Sequence, residues 1–221
     1  MDDDLQPRIA ILGAGPIGLE ATLYARYLGY PAAVLERAGN PAANVLTEGD
    51  KQLAAPFGES ASTLGVAALQ AQNPDWRCPA AKDRLTAAQW HENYLQLLAE
   101  SDLITEILQL NTTVNEITRG DDDADFQIRC HNSQGEEMIH VADIVIDARG
   151  IEGSRAWFTH SESENELSFL NPESDYYILG GKSRPLGQMT LVEGLAQIRD
   201  LFAILGERED LDVYATMPAI E

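Results

Sequence analysis

The sequence predicts a three-layer α/β fold built on a parallel sheet, and three observations predict it. Arg8–Leu12, Ala32–Glu36 and Asp143–Ala148 are short, apolar runs closed by glycine or polar residues, the way strands buried on both faces read. Pro16–Leu28 lies between the first two, with Leu19, Leu23 and Tyr27 at four-residue spacing. Strand, helix and strand then fit within about 30 residues, which is a βαβ unit. Between residues 112 and 141 the pattern changes to alternation around Gly120-Asp121-Asp122-Asp123 and Asn132-Ser133-Gln134-Gly135, as in an antiparallel meander.

The first helix carries proline near its start and Gly29 just past its end, the favoured order. Residues 38–85 are rich in Ala, Gly, Pro and Asn and read as a long loop excursion. A loop of that length in a compact domain usually serves function. Thr86-Ala87-Ala88-Gln89 is a capping box, and its helix runs to about Glu100. Leu103–Thr118 reads as extended, followed by strands at Phe126–Cys130 and Glu137–Val141. A last strand, Tyr176–Leu179, ends at Gly180-Gly181. Thr190-Leu191-Val192-Glu193 is a second capping box, opening a helix with Leu191, Leu195, Ile198, Phe202 and Leu205 inward and its end near Gly206. Residues 1–206 thus read as one domain and 207–221 as a loose tail.

Of the 221 residues, 44% are hydrophobic and 23% charged, enough for a sizeable core. Lys and Arg total 15 against 36 Asp and Glu, a net charge of −21. Such a surface repels phosphate backbones and anionic lipid, so neither nucleic acid nor membrane is the expected partner. No apolar run approaches the length of a membrane span and residues 1–7 are acidic, so the expected location is the cytoplasm. Cys78 and Cys130 form no framework, no C-x-x-C occurs, and His91, His131, His140 and His160 are scattered. No metal is expected.

Gly13-Ala14-Gly15-Pro16-Ile17-Gly18 is G-x-G-x-x-G, placed where the first strand meets its helix. Gly13 permits the tight turn, Gly15 admits a pyrophosphate to the backbone, and Gly18 lets the helix pack close to the sheet. Pro16 and Ile17 open a helix whose free N–H groups and positive dipole end suit phosphates. Glu36 stands 18 residues past Gly18 at the end of the second strand, where an acid binds ribose hydroxyls. Arg37 suits either a 2′-phosphate or open solvent. A dinucleotide-binding, Rossmann-like fold follows.

Residues 8–37 resemble the FAD-binding segment of the two-dinucleotide-domain flavoprotein oxidoreductases, the superfamily of pyridine nucleotide-disulfide reductases and flavin-containing monooxygenases. Gly15-Pro16-Ile17-Gly18-Leu19-Glu20-Ala21 carries that resemblance. Asp143–Gly150 is similar to the superfamily's strand ending in Ala-Thr-Gly, with Arg149 in place of threonine. Tyr176–Gly181 is similar to its last strand, with Gly181 where an aspartate usually meets the ribityl chain. The resemblance implies that Val114 meets the adenine, that residues 44–65, Asn44 among them, line the isoalloxazine, and that Gly150, Gly180 and Gly181 lie against the cofactor. It also implies that the helix end at Met189 and Thr190 faces the flavin.

The departures matter as much. The superfamily inserts a whole NAD(P)-binding domain before its last strand, whereas here the interval is 151–175, only 25 residues. The chain therefore resembles the FAD half alone. Lacking C-x-x-C, it is excluded from the disulfide-reductase reaction. The expected function is FAD-dependent oxidoreduction of a small-molecule substrate, with NAD(P)H as a transient reductant or a partner chain, or another copy of this one, completing the molecule. The rivals are an NAD-binding module without turnover and a cofactor-free scaffold. Lys51 is expected to be exposed, Phe57 to line either the flavin face or a minor core, Trp76 and Trp157 to pack, and Asp121-Asp122-Asp123 to be a solvated turn.

Overall fold

The structure is a computed structural model and describes residues 6–119, 125–150, 168–183 and 189–221. Trp157 and Asp121-Asp122-Asp123 lie outside them. In chain order the elements are β1 (Ile9–Leu12), α1 (Pro16–Tyr27), β2 (Ala32–Leu35), α2 (Ala43–Leu46), α3 (Thr63–Gln72), α4 (Ala87–Trp90), α5 (Gln96–Ala99), β3 (Leu108–Gln109), β4 (Thr113–Arg119), β5 (Phe126–His131), β6 (Glu137–Ala142), β7 (Ile144–Asp147), β8 (Leu170–Glu173), β9 (Tyr176–Ile178), α6 (Leu191–Leu205) and α7 (Val213–Thr216). A π turn, His91–Leu95, joins α4 to α5 into one helical rod.

The main sheet has the order β3-β2-β1-β7-β9-β8, parallel except for β8. β1 is central, with Ile9 opposite Ala32 on one side and Ile144 on the other. Its alternation builds both cores. Ile9 and Ile11 join Ile144, Ile146 and Tyr177 against the helices, while Ala10 and Leu12 join Val145, Tyr176 and Ile178 against the second sheet. That second sheet is the meander β4-β5-β6, which contributes Phe126, Ile128 and Cys130. The layers are therefore helices, parallel sheet and antiparallel meander, as the patterning predicts.

Four local expectations need correction. Residues 38–85 are not an irregular excursion. Ser62 caps α3 by accepting from Gly65 N–H at 2.7 Å, and Leu64, Val66 and Leu69 are buried. Alanine and glycine in that stretch hid its periodicity. Phe57 lies in the main core, edge-on to Tyr94 with ring centroids 5.7 Å apart, rather than on a ligand face. Leu103–Thr118 is not one extended run: Ile104 N–H donates to the Ser101 carbonyl in a turn, and Asn111 at φ +55° separates β3 from β4. Residues 207–221 are not a loose tail. Leu211 and Val213 are buried, Val213 N–H donates to Tyr24 Oη at 3.0 Å, and Tyr214 stands edge-on to Tyr24.

One charge is buried in the helix layer. Glu20, on α1, is fully buried and accepts from Tyr94 Oη at 2.5 Å, and Tyr94 Oη in turn accepts from Ser62 N–H at 2.9 Å. Burial pushes the Glu20 carboxyl up to about 7, against the opposing pull of the Tyr94 hydroxyl. An acid whose folded value exceeds its unfolded value near 4.5 holds more protons folded than unfolded between the two. Stability is then complete below pH 4.5 and is lost as pH climbs through about 7, by roughly 3 kcal/mol. Glu20→Gln keeps the shape without the charge. Urea unfolding should show the variant matching the parent in acid and exceeding it above pH 7. Removing residues 211–221 should lower the melting temperature by uncovering Tyr24 and Phe202, as read by calorimetry.

Candidate functional site

The chain runs from β1 through α1 to β2 on one side of the sheet, and β7 then enters on the other side. The carboxyl ends of β1 and β7 therefore flank a topological switch point, where open α/β sheets bind ligands. The glycine fingerprint follows β1 there, and Arg149 and Gly150 follow β7.

Each glycine of the fingerprint has a separate physical reason. Gly13 has φ +95°, and a Cβ on it would sit 3.0 Å from Arg149 Cα. A Cβ on Gly18 would lie 1.9 Å from the Gly13 carbonyl oxygen, so helix and turn touch directly. Gly15 is different: the nearest atom to its Cβ position is Asn44 Oδ1 at 3.9 Å. The space in front of Gly15 is open, and Gly15 is the N-cap of α1 with no side chain capping it. Pro16 occupies the first helical position, where no N–H is needed. An uncapped first turn facing an open glycine is the kind of helix end that can receive a phosphate.

Glu36 closes one wall. Its two carboxylate oxygens accept from Ala14 N–H at 2.7 Å and Ala38 N–H at 2.8 Å, tying the end of β2 to the fingerprint. A carboxylate has about four lone-pair positions, so both oxygens retain capacity for ribose hydroxyls. Arg37 is exposed. Thr112 N–H donates to the Glu36 carbonyl at 2.8 Å, which brings the start of β4, and with it Val114, beside this wall. Val114 is half-buried next to a bulge between Val114 and Glu116.

Ile17 links the opposite wall. Its side chain lies 3.6 Å from the Cβ position of Gly180 and occupies the space beside Gly194 on α6, where the Met189 methyl also packs. Gly180, at φ +77°, donates its N–H to Gln197 Oε1 at 2.8 Å. Gly181 follows in a 3-10 turn, Gly180–Ser183. The amino end of α6 thus packs through Ile17 against the start of α1, on the side of Gly180. Thr190 does cap α6, but its own N–H already donates to Glu193 Oε2 at 2.8 Å. Lys51 is exposed and paired with Glu48, and Trp76 Nε1 donates to the Asn93 carbonyl at 3.2 Å.

Sequence reasoning missed the strongest polar cluster. Asp147, at the end of β7, is fully buried and takes Arg149 in a two-pronged contact at 2.9 and 2.7 Å, Lys182 Nζ at 2.6 Å and Tyr176 Oη at 3.0 Å. Burial alone would raise the Asp147 carboxyl, but the guanidinium and ammonium outweigh it and hold it below the usual carboxylate range. Burial and the Asp147 charge push the Tyr176 hydroxyl up. The cluster fastens the Arg149-Gly150 turn to the Gly180–Ser183 turn. Its signal was present: an aspartate closing a buried strand, and one of only three lysines in the chain just after Gly180-Gly181. Among the described residues no His, Cys, Asp and Glu cluster is placed to hold a metal, and no helix is long and apolar enough to cross a membrane.

No protein-family model matches the chain, and no curated protein matches it in sequence. Solved structures do match in shape. Bacillithiol disulfide reductase from Bacillus cereus superposes with a TM-score of 0.51 at 16% identity, over 66% of this chain and 40% of that one. An oxidized steroid monooxygenase bound to NADP gives 0.52 at 18%, over 66% and 26%. A complex of OTEMO with FAD and NADP gives 0.50 at 15%, again over 66% and 26%. This chain shares its fold with these solved structures. Its matched part spans less than half the length of these proteins.

Two substitutions separate cradle from scaffold. Gly15→Val places a Cβ whose nearest neighbour is Asn44 Oδ1 at 3.9 Å and should fold, whereas Gly18→Val drives a side chain into the Gly13 carbonyl and should not; circular dichroism and solubility distinguish them. Asp147→Ala leaves Arg149 and Lys182 without their shared carboxylate and should cost about 3–5 kcal/mol in a denaturant titration.

Proposed function

We propose that the chain binds FAD non-covalently at the switch point and works as a flavin-dependent oxidoreductase, or as the FAD-binding part of one. The observation that carries the reading is the open space at Gly15, facing an uncapped α1 and walled by Glu36 and Ile17. The similarity in fold to a steroid monooxygenase bound to NADP and to OTEMO with FAD and NADP supports FAD as the group and a nicotinamide nucleotide as its reductant.

The residues divide the work. The first turn of α1 neutralises the diphosphate with N–H groups and the helix dipole. Glu36 takes ribose hydroxyls while keeping its hold on Ala14 and Ala38, so binding the sugar also stiffens the turn that meets the diphosphate. Val114 offers apolar surface to the adenine beyond Glu36. Gly150, Gly180 and Gly181 let backbone approach the remainder, with Arg149 held in place by Asp147. The amino end of α6, at Met189 and Thr190, lends a partial positive charge at the same mouth. FAD supplies the electron transfer itself, and the chain positions and shields it. No side chain here is assigned as an acid or base. A small-molecule substrate is reduced or oxidised at the flavin, and a partner chain or second copy completes the site over which the superfamily's NAD(P)-binding domain would lie.

The test is the visible spectrum of purified protein. Yellow protein that releases FAD on denaturation is expected. Colourless protein stabilised by NAD points to a binding module, and protein indifferent to both points to a scaffold. Glu36→Ala should weaken FAD binding by roughly 1.5–3 kcal/mol, as read by fluorescence titration. Gly15→Val should abolish binding in a folded protein.

A further inference from the structure

The helical rod α4–α5 is interrupted by its π turn at one place, and that turn carries two buried polar side chains that leave it in different directions. Tyr94 reaches Glu20 on α1. His91 reaches the other side: its Nε2 lies 2.9 Å from the carbonyl oxygen of Pro41, and both residues are buried. One residue on, Ala42 sits at φ +48°, a left-handed conformation that is unfavourable for a non-glycine residue and persists only where neighbours hold it. Two hydrogen bonds flank it, His91 to Pro41 and Ala42 N–H to the Ala14 carbonyl at 2.8 Å. The bent backbone then delivers Asn44, the protein atom nearest to the open space at Gly15. Further down the rod, Ala87 N–H donates to the Lys51 carbonyl and Ala88 N–H to the Gly49 carbonyl, both at 2.9 Å. His91 is the rung of this ladder closest to the fingerprint.

We infer that His91 is a positioning residue for the dinucleotide: from the π turn, it donates Nε2–H to the Pro41 carbonyl, holds Ala42 left-handed, and so keeps Asn44 facing the diphosphate cradle. The inference rests on the dinucleotide reading above.

The test is titration of the full chain, stripped of cofactor, with FAD and with ADP-ribose. His91→Phe keeps a planar ring, somewhat larger, without the donor and should weaken both ligands by about fivefold to tenfold. His91→Gln presents a nitrogen at similar reach and should restore binding, whereas His91→Asn, one carbon shorter, should not. Asn44→Ala should weaken binding as well, and in the His91→Phe background it should add nothing further, because Asn44 is already displaced. Parental affinity in folded His91→Phe, or in folded His91→Asn, would overturn the inference and leave His91 a packing residue. So would full additivity of His91→Phe and Asn44→Ala. Gly15→Val distinguishes the two levels of failure. If it binds both ligands like the parent, the dinucleotide reading itself falls. If it binds neither while His91→Phe binds normally, only the role of His91 falls.

Discussion

Among the described glycines the tightest constraint is the contact between Gly18 and the Gly13 carbonyl, where a Cβ would have 1.9 Å of room. That contact lets α1 start directly above the end of β1, and it sets the height at which the first helical turn faces the crevice. Ile17, fixed between the two glycines of the helix start, packs on Gly180 and Gly194 and so places the last strand and α6. On the other flank Ala14 is held by Glu36 and by Ala42. Both walls of the site are thus hung from one six-residue turn.

The buried charges are arranged in opposite ways in the two interlayer spaces. In the helix layer Glu20 has hydroxyl and amide company but no cation among the described residues, so burial favours its neutral form. At the end of β7, Asp147 has two cations and a phenol and stays charged. The first arrangement costs stability as pH rises. The second fixes two turns in relation to each other at the candidate site, and such a pair is worth more as geometry than as net stability.

Much of the fold was legible because its signals are local. Strand length and apolarity marked β1, β2, β7 and β9, alternation marked β5 and β6, and both capping boxes lie where Thr86-Gln89 and Thr190-Glu193 place them. What was illegible depends on distant partners. α3 is nearly all small or apolar residues, so no face stands out until Tyr94 and Ser62 meet. α7 is one turn long and exists because Tyr24, Tyr214 and Leu211 find each other. β8 carries Pro172 and forms only as an antiparallel edge on β9. At the site, the glycines and Glu36 were readable by spacing, but Lys182 stands 35 positions from Asp147 and Pro41 stands 50 from His91, and neither pairing follows a motif.

The sheet order has a consequence for how the chain is made. β1, α1 and β2 can pair as soon as they are synthesised, since Ile9 and Ala32 are near neighbours in sequence. The crevice cannot: its second lip is β7, which docks on β1 by bridging Ile9 to Ile144, and Gly13 takes its final shape against Arg149. A nascent chain that has emerged only as far as the meander carries the whole fingerprint yet has nowhere to put a ligand. Long-range closure of this kind is slow compared with helix and hairpin formation. A ligand that needs both lips can bind only after this step, so it acts as a latch on a nearly finished fold rather than as a template for its beginning.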